Sequence, residues 1–292
     1  MLFCRQKEVN AINMKKQQRG LTSTQIKFIG ALFMTLGSLV SYGYEIPFVP
    51  LFSVKLEYLG RIALPLFLYM LAESVHYTRS KSKFLLRLYI AAVGVGLFTT
   101  VTNLCAGNTV GIFRHNNILF TYFYTGLYIV LIEKIMYGFS HRAARETVVG
   151  VAGIGATVLV HFLFLGLLGP IRGASRLGSE LFESFLHSPY IAEETPVVIL
   201  MGILLYFLRA KWQKLSVIGL AALLSQSRQL EALCRSTPMS PFFSGPQIFM
   251  LLAIPILLLY NGERGAEKKA FFYCYYPLHR YVIAVIAFLW VL

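Results

Sequence analysis

Residues 146–169 read ETVVGVAGIGATVLVHFLFLGLLG, and after Glu146 this run contains no charged side chain. About 20 consecutive apolar residues in a helix are enough to cross the hydrocarbon core of a bilayer. The run therefore predicts a membrane-spanning helix. His161 is its only imidazole, and a lone histidine inside a span most often bonds to a neighbouring helix.

The rest of the chain shares this composition. Of its 292 residues, 57% are hydrophobic and 14% are charged, and the mean hydropathy is +0.63. A soluble domain carries roughly 25% charged residues. The formal net charge is +14, but the basic residues fall in short clusters between apolar runs. The positive-inside rule explains such clusters, so we predict the lipid bilayer as a partner and no nucleic acid.

Apolar runs long enough to count as spans recur along the chain. We therefore predict an all-α fold, a polytopic transmembrane helix bundle of about nine spans (eight to ten). The seventh is short and the eighth contains Pro255, so either could be tilted, broken or re-entrant. The predicted spans are approximately 25–43, 58–77, 84–104, 116–137, 146–169, 189–208, 214–226, 245–260 and 270–291.

Charges between the spans predict the orientation. Residues 1–20 are basic and lack an apolar signal core, so we expect a cytoplasmic N-terminal tail followed by a single membrane domain over 21–292. Densely basic connections alternate with sparse or mixed ones, such as the long connection at 170–188. This alternation predicts a multi-pass protein of the cell membrane (plasma or inner), with its N-terminus inside and its C-terminus outside.

Two polar residues near the cytoplasmic end of the second span could act together. Glu73 and His76 are three residues apart, and this spacing places both on one helix face. A carboxylate beside an imidazole can orient it as a general base, which would make both residues catalytic. The alternative is a helix end whose polar groups are solvated at the membrane interface.

Two further residues are candidates for catalysis. Arg61 begins the second span at its outer end, where it could bind an anionic substrate or a developing oxyanion, or anchor the span as a snorkelling cation. His279 follows Pro277, which we expect in a first helical turn near the cytoplasmic mouth. A histidine inside an apolar segment is costly, so His279 is either a general base or a member of the aromatic belt.

A basic rim precedes the last span. Arg264, Lys268 and Lys269, with Asn261 in the same turn, would suit a phosphate-bearing donor such as coenzyme A. Anionic lipid headgroups would suit the same rim. No Cys or His spacing typical of a metal site appears in the sequence, so no metal is predicted.

Three segments carry a further signal: 60–67 with Glu73 and the basic 79–87, then 117–121, then 260–265 running on to 276–279. In their order and spacing, from about residue 21 to the end, they together resemble the TraX family of integral membrane proteins. The family is named for a conjugal-transfer protein that acetylates pilin. The resemblance implies transfer of an acetyl or other acyl group from acyl-CoA to an amine or hydroxyl of a peptide or envelope acceptor.

One departure from the family pattern affects catalysis. The first span of the family typically carries Met-x-x-Asp-His, whereas the matching stretch here is Met34-Thr35-Leu36-Gly37-Ser38. Ser38 could be a nucleophile, but the sequence shows no base beside it. Either His279 performs the proton transfer, or the chain is a catalytically degenerate partner or scaffold in surface-peptide or pilin maturation. A small transporter using His161, Glu73 and Arg61 is a third reading, and the absence of an inverted repeat counts against it.

Overall fold

The computed structural model describes residues 20–42, 58–106, 117–188, 196–234, 246–266 and 268–291. Within these ranges the protein is all-helical, as the sequence predicts, with a single isolated bridge between Leu21 and Tyr260. The helices are α1 (Ser23–Tyr42), α2 (Ala63–Tyr77), α3 (Lys81–Ala106), α4 (Ile118–His141), α5 (Ala144–Ala174), α6 (Arg176–Phe185), α7 (Pro196–Phe207), α8 (Lys211–Cys234), a 3-10 helix (Pro246–Leu252), α9 (Ala253–Leu258) and α10 (Lys269–Val291).

Four segments are long and apolar enough to cross a membrane, and they coincide with the second to fifth predicted spans. Two further helices in the described ranges are apolar but shorter, Pro196–Phe207 and Gln247–Leu258. The predicted number of nine spans is therefore not confirmed, although α1 and α10 form where the first and last spans were expected. The four segments are Tyr58–Tyr77, Lys81–Leu104, Ile118–His141 and Ala144–Ala174.

The chain forms two compact units. The first contains residues up to Met70 and from Ile218 onward, and the second contains Leu71–Val217. In the first unit, α1 packs against α10, and its Gly30 touches Phe67 near the start of α2. In the second unit, α4 packs with α3, α5 and α7, and α6 packs with α3 and α5.

A row of glycines lets α1 approach α2 closely. Gly30 and Gly37 are seven residues apart, which places them on one face of the helix. Gly30 lies against the ring of Phe67, and Gly37 lies against the backbone of Gly60. A Cβ atom at Gly37 would stand 2.9 Å from the Gly60 Cα, so any larger residue would force the two segments apart. Small residues at such crossings are the usual device for close helix packing in membranes.

The charged turn at 259–266 caps the N-terminus of α1. Ser23 and Thr24 donate backbone hydrogen bonds of 2.8 and 3.2 Å to the carbonyls of Glu263 and Arg264. These are N–H groups that a helix leaves unsatisfied in its first turn. Thr22 and Gln25 add a capping box, since the Thr22 N–H donates to the Gln25 side chain at 2.8 Å. The turn is thus part of the packing of α1.

The predicted connection at 170–188 is largely helical, because α5 continues to Ala174 and α6 follows it. On α6 the apolar side is exposed and a charged residue is buried, which is the opposite of a surface helix in a soluble protein. Leu177, Leu181 and Phe185, spaced four residues apart, are exposed, whereas Glu180 is buried. The Asn103 amide of α3 donates to both oxygens of the Glu180 carboxylate, at 3.2 and 3.0 Å. Such polarity suits a helix whose outer side meets lipid.

Candidate functional site

A serine–histidine pair joins α1 and α10 in the first unit. The Ser38 Oγ lies 3.0 Å from the His279 Nε2. The sequence-based statement that no base accompanies Ser38 is therefore wrong, because that base belongs to a helix 241 residues away in the chain. One face of each helix makes the contact, with spacings of seven and three in α1 and about four in α10. The facing pairs are Phe28 with Phe271 and Phe272, Thr35 with Tyr275, and Ser38 with His279.

A backbone hydrogen bond fixes which nitrogen of His279 carries the proton. The His279 Nδ1 lies 2.8 Å from the Tyr275 carbonyl oxygen, which can only accept, so the Nδ1–H is the donor. In the neutral ring, Nε2 is then the acceptor for the Ser38 hydroxyl. His279 is 7% exposed, which keeps water from competing for this bond. The carbonyl thus fixes the tautomer and orientation of the imidazole, which is one of the two roles of the carboxylate in a serine triad.

The aromatic ring of Tyr275 also packs against the imidazole of His279. Its ring stacks on the His279 ring with centroids 5.2 Å apart and planes 13° apart. Its hydroxyl lies 2.6 Å from the Thr35 Oγ1, and the Thr35 hydroxyl already donates to the Ala31 carbonyl at 2.9 Å. Because a hydroxyl has one proton, Tyr275 must be the donor to Thr35. Tyr275 therefore links the two helices beside the Ser38–His279 contact.

The prediction that Pro277 lies in a first helical turn is wrong. Pro277 lies inside α10, which begins at Lys269. Proline has no N–H, so it removes one backbone hydrogen bond from this part of the helix. Neighbouring helices supply the packing that lets a membrane helix tolerate this loss. The rise of a helix places His279 about 15 Å from Lys269, well inside the segment.

The backbone of Arg61 lies near the Ser38–His279 contact in space, although not in sequence. It sits in the turn between the residues around Tyr58 and the start of α2, where its N–H donates to the Tyr58 carbonyl at 3.2 Å. Gly60, which precedes Arg61, touches Gly37, which precedes Ser38. The backbones that carry Arg61 and Ser38 are therefore neighbours. In the first unit, α1 therefore contacts both the segment that carries Arg61 and the helix that carries His279.

The predicted donor-binding residues have structural contacts as well as charge. The Asn261 N–H donates to the Leu21 carbonyl at 3.0 Å, and its side-chain oxygen accepts from the Glu263 N–H at 2.9 Å. Arg264 and Lys268 are exposed. The side chain of Lys269 lies outside the described residues. The turn thus places at least two exposed cations at the end of the first unit where α10 begins.

Arg280 is a buried cation that was not among the residues predicted from the sequence. It is 6% exposed, and its Nη1 donates to the Tyr276 hydroxyl at 3.0 Å. The guanidinium also lies 5.6 Å from the centroid of the Tyr276 ring. An arginine within an apolar segment was the available signal, since an ionisable residue at such depth marks a function by default.

Glu73 and His76 lie in the second unit, where their described contacts run to different partners. The Lys214 ammonium donates to Glu73 at 2.8 Å, and both side chains are largely buried. The His76 Nε2–H donates to the Tyr206 carbonyl at 3.0 Å, and its ring stacks on that of Tyr206 at 3.9 Å. Orientation of His76 by Glu73 stays a prediction. In the structure, Glu73 forms an ion pair with Lys214, and His76 makes a separate contact with Tyr206.

Other charged residues and a histidine of the second unit also form hydrogen bonds or ion pairs with residues of other segments. Lys81 forms an ion pair with Glu133, to which the Tyr206 hydroxyl also donates. The His161 Nδ1 lies 2.7 Å from the Ser188 Oγ, which is the structural role expected of a lone intramembrane histidine. Within the described residues, no group of three or more His, Cys, Asp or Glu side chains could hold a metal ion.

Comparison with known proteins gives one match. A family model described as TraX protein matches residues 22–172. This range contains Ser38, Arg61 and Glu73, whereas His279 and the turn at 260–265 lie beyond it. No curated protein and no solved structure matches the chain.

Proposed function

The chain belongs to the TraX family as an integral membrane protein, and from that premise we propose that it is a membrane acyltransferase. It would move an acetyl or other acyl group from acyl-CoA to an amine or hydroxyl of a peptide or envelope acceptor. The Ser38–His279 contact is the observation that carries this proposal. An imidazole whose acceptor nitrogen faces a hydroxyl is an arrangement that enzymes commonly use for acyl transfer.

His279 is the general base of the proposed reaction. Its Nδ1–H is held by the Tyr275 carbonyl, so its Nε2 can take a proton from a hydroxyl or amine without turning. Arg61 would stabilise the negative charge that develops on the carbonyl oxygen during attack. The close contact between the Gly60 and Gly37 backbones supports this role, because it places the backbones of Arg61 and Ser38 near each other.

The basic turn is the proposed entry for the donor. Arg264 and Lys268, with Lys269, would bind the phosphates of coenzyme A, as guanidinium and ammonium groups commonly do. The thin pantetheine arm would then reach along α10 toward His279, which lies about 15 Å further along the helix. Neutralising Arg264 and Lys268 together should therefore raise the KM for acetyl-CoA with little change in kcat.

Turnover of acetyl-CoA by the purified protein tests the proposal. We expect CoA thiol release with the wild type, and a loss of at least about 100-fold in His279→Ala, because general-base catalysis contributes that much or more. His161→Ala is the matched control, since it removes another imidazole that lies beside a serine. Equal turnover by the wild type and His279→Ala would eliminate the proposed role of His279.

A non-enzymatic partner in surface-peptide or pilin maturation is the second candidate. The observation that favours it is Gly37, which stands where the family typically has Asp and packs against Gly60. A chain selected for packing at this point would have no need of a carboxylate. Under this alternative the purified wild type releases no CoA above the rate of His279→Ala, while its co-purification with an acceptor peptide survives that substitution.

A further inference from the structure

The Ser38 hydroxyl lies directly beside His279, the proposed general base. We propose that Ser38 is a covalent nucleophile, so that acyl transfer proceeds in two steps through an acyl-serine enzyme. This inference rests on the proposed acyltransferase function and specifies its mechanism. It concerns a residue of this chain that stands where the family pattern has histidine.

The direction of the hydrogen bonds supports activation of Ser38. Because the Tyr275 carbonyl holds the proton of the His279 Nδ1, the 3.0 Å contact at Nε2 is one that the Ser38 hydroxyl donates. A serine hydroxyl that donates to an oriented imidazole has the geometry of a nucleophile beside its general base. Burial of His279 means that no bulk water need be displaced before proton transfer.

A second serine lies beside a histidine in a different geometry. Ser188 and His161 in the second unit are also within hydrogen-bond distance, but through the Nδ1 of the imidazole. Ser188 lies in the segment that follows α6. At Ser38 the hydroxyl faces Nε2, while Nδ1 has a carbonyl partner that fixes the tautomer. The pair at Ser38 therefore has both a base and an orienting group, as nucleophilic catalysis requires.

The first step forms the acyl-enzyme. The Ser38 Oγ attacks the thioester carbonyl carbon of acyl-CoA while its proton moves to the His279 Nε2. The carbon–sulfur bond then breaks, and the departing sulfur takes that proton to leave as the CoA thiol. The products are free CoA and an ester on Ser38.

The second step regenerates the serine. The acceptor amine or hydroxyl attacks the ester carbonyl and gives its proton to the His279 Nε2. The bond between the acyl carbon and the Ser38 Oγ breaks, and this oxygen recovers the proton from Nε2. The net reaction moves one acyl group and needs no oxidant, metal or further reactant.

Acetyl exchange tests the covalent step without any knowledge of the acceptor. The full-length purified protein is mixed with acetyl-CoA and isotopically labelled CoA, and formation of labelled acetyl-CoA is followed. An acyl-enzyme permits this exchange, and mass spectrometry should locate one acetyl group on the peptide that contains Ser38. We expect Ser38→Ala to lower exchange at least about 100-fold, and Ser188→Ala to leave it unchanged.

Ser38→Cys guards against a misfolded alanine variant. A cysteine keeps a nucleophile of similar size, so it should retain a labelled species as a thioester that neutral hydroxylamine removes. Transfer of radioactive acetyl from acetyl-CoA to other membrane components is measured in parallel, in membranes from cells that express each variant. Transfer that persists in Ser38→Ala, or wild-type transfer without exchange, overturns the covalent inference and leaves the acyltransferase proposal standing. Absence of both activities in the wild type overturns the acyltransferase proposal itself.

Discussion

Replacing Gly37 with alanine should destabilise the protein by about 1–3 kcal/mol, which is the usual cost of overpacking a well-filled contact. The added Cβ would stand 2.9 Å from the Gly60 Cα, about half an ångström closer than an ordinary contact allows. The obstructing atom belongs to the backbone, so no side chain can rotate away. The segment at Gly60 and α1 would have to separate.

The same separation should reach the Ser38–His279 contact, because Ser38 follows Gly37 directly. Misplacement of reacting groups by about an ångström can cost about 100-fold in rate, so a half-ångström shift should lower acetyl transfer about tenfold. We would measure unfolding in detergent micelles by far-UV circular dichroism, and acetyl-CoA turnover on the same preparations. Gly155→Ala is the matched control, since nothing lies within 4 Å of a Cβ at that position.

The two glycines should respond in opposite directions. Alanine in an exposed helical position gains up to about 1 kcal/mol over glycine, so Gly155→Ala should be neutral or slightly stabilising. If Gly37→Ala stabilised the protein as much as Gly155→Ala does, the close packing of α1 on Gly60 would be refuted. The contact also predicts that Gly37→Asp with Ser38→His, which would restore the family pattern, impairs folding before it can add activity.

Three further outcomes follow from contacts in the second unit. Lys214→Met should cost about 3 kcal/mol by leaving the Glu73 carboxylate buried without its cation, and adding Glu73→Gln should recover more than half of that loss in the same unfolding assay. Asn117→Ala should cost about 1–2 kcal/mol, because Asn117 caps α4 and also bonds across to α3; a loss below a few tenths would contradict this. A fluorophore at Leu181→Cys in a cysteine-free background should be quenched by brominated lipid more strongly than one at Arg142→Cys, and equal quenching would contradict a lipid-facing α6.

Much of the fold was predictable because length and apolarity suffice to define a membrane helix. The spans around 58–77 and 146–169 were predicted closely for this reason. The helix α6 was not, because its ten residues are too few to cross a bilayer and its glutamates resemble those of a solvated loop. The buried partner Asn103, distant in sequence, explains why Glu180 faces inward.

The site was less predictable, because periodicity describes one helix at a time. It places Thr35 and Ser38 on one face of α1 and His279 on one face of α10, but it does not say which helices are neighbours. Arg280, in contrast, was within reach of the sequence, since a charge in an apolar segment is itself a signal.

The cap on α1 has a consequence for the order in which the protein is made. Thr24, in the first turn of α1, has a hydrogen-bond partner at Arg264 that is synthesised 240 residues later. Ser38 likewise precedes its histidine by most of the length of the chain. Contacts between residues so far apart in sequence form late in folding. During synthesis, the first turn of α1 therefore lacks its hydrogen-bond partners until the C-terminal part of the chain has been made. Nascent and C-terminally truncated chains would hold the serine without its base, so the proposed chemistry could begin only after the last helix is in place.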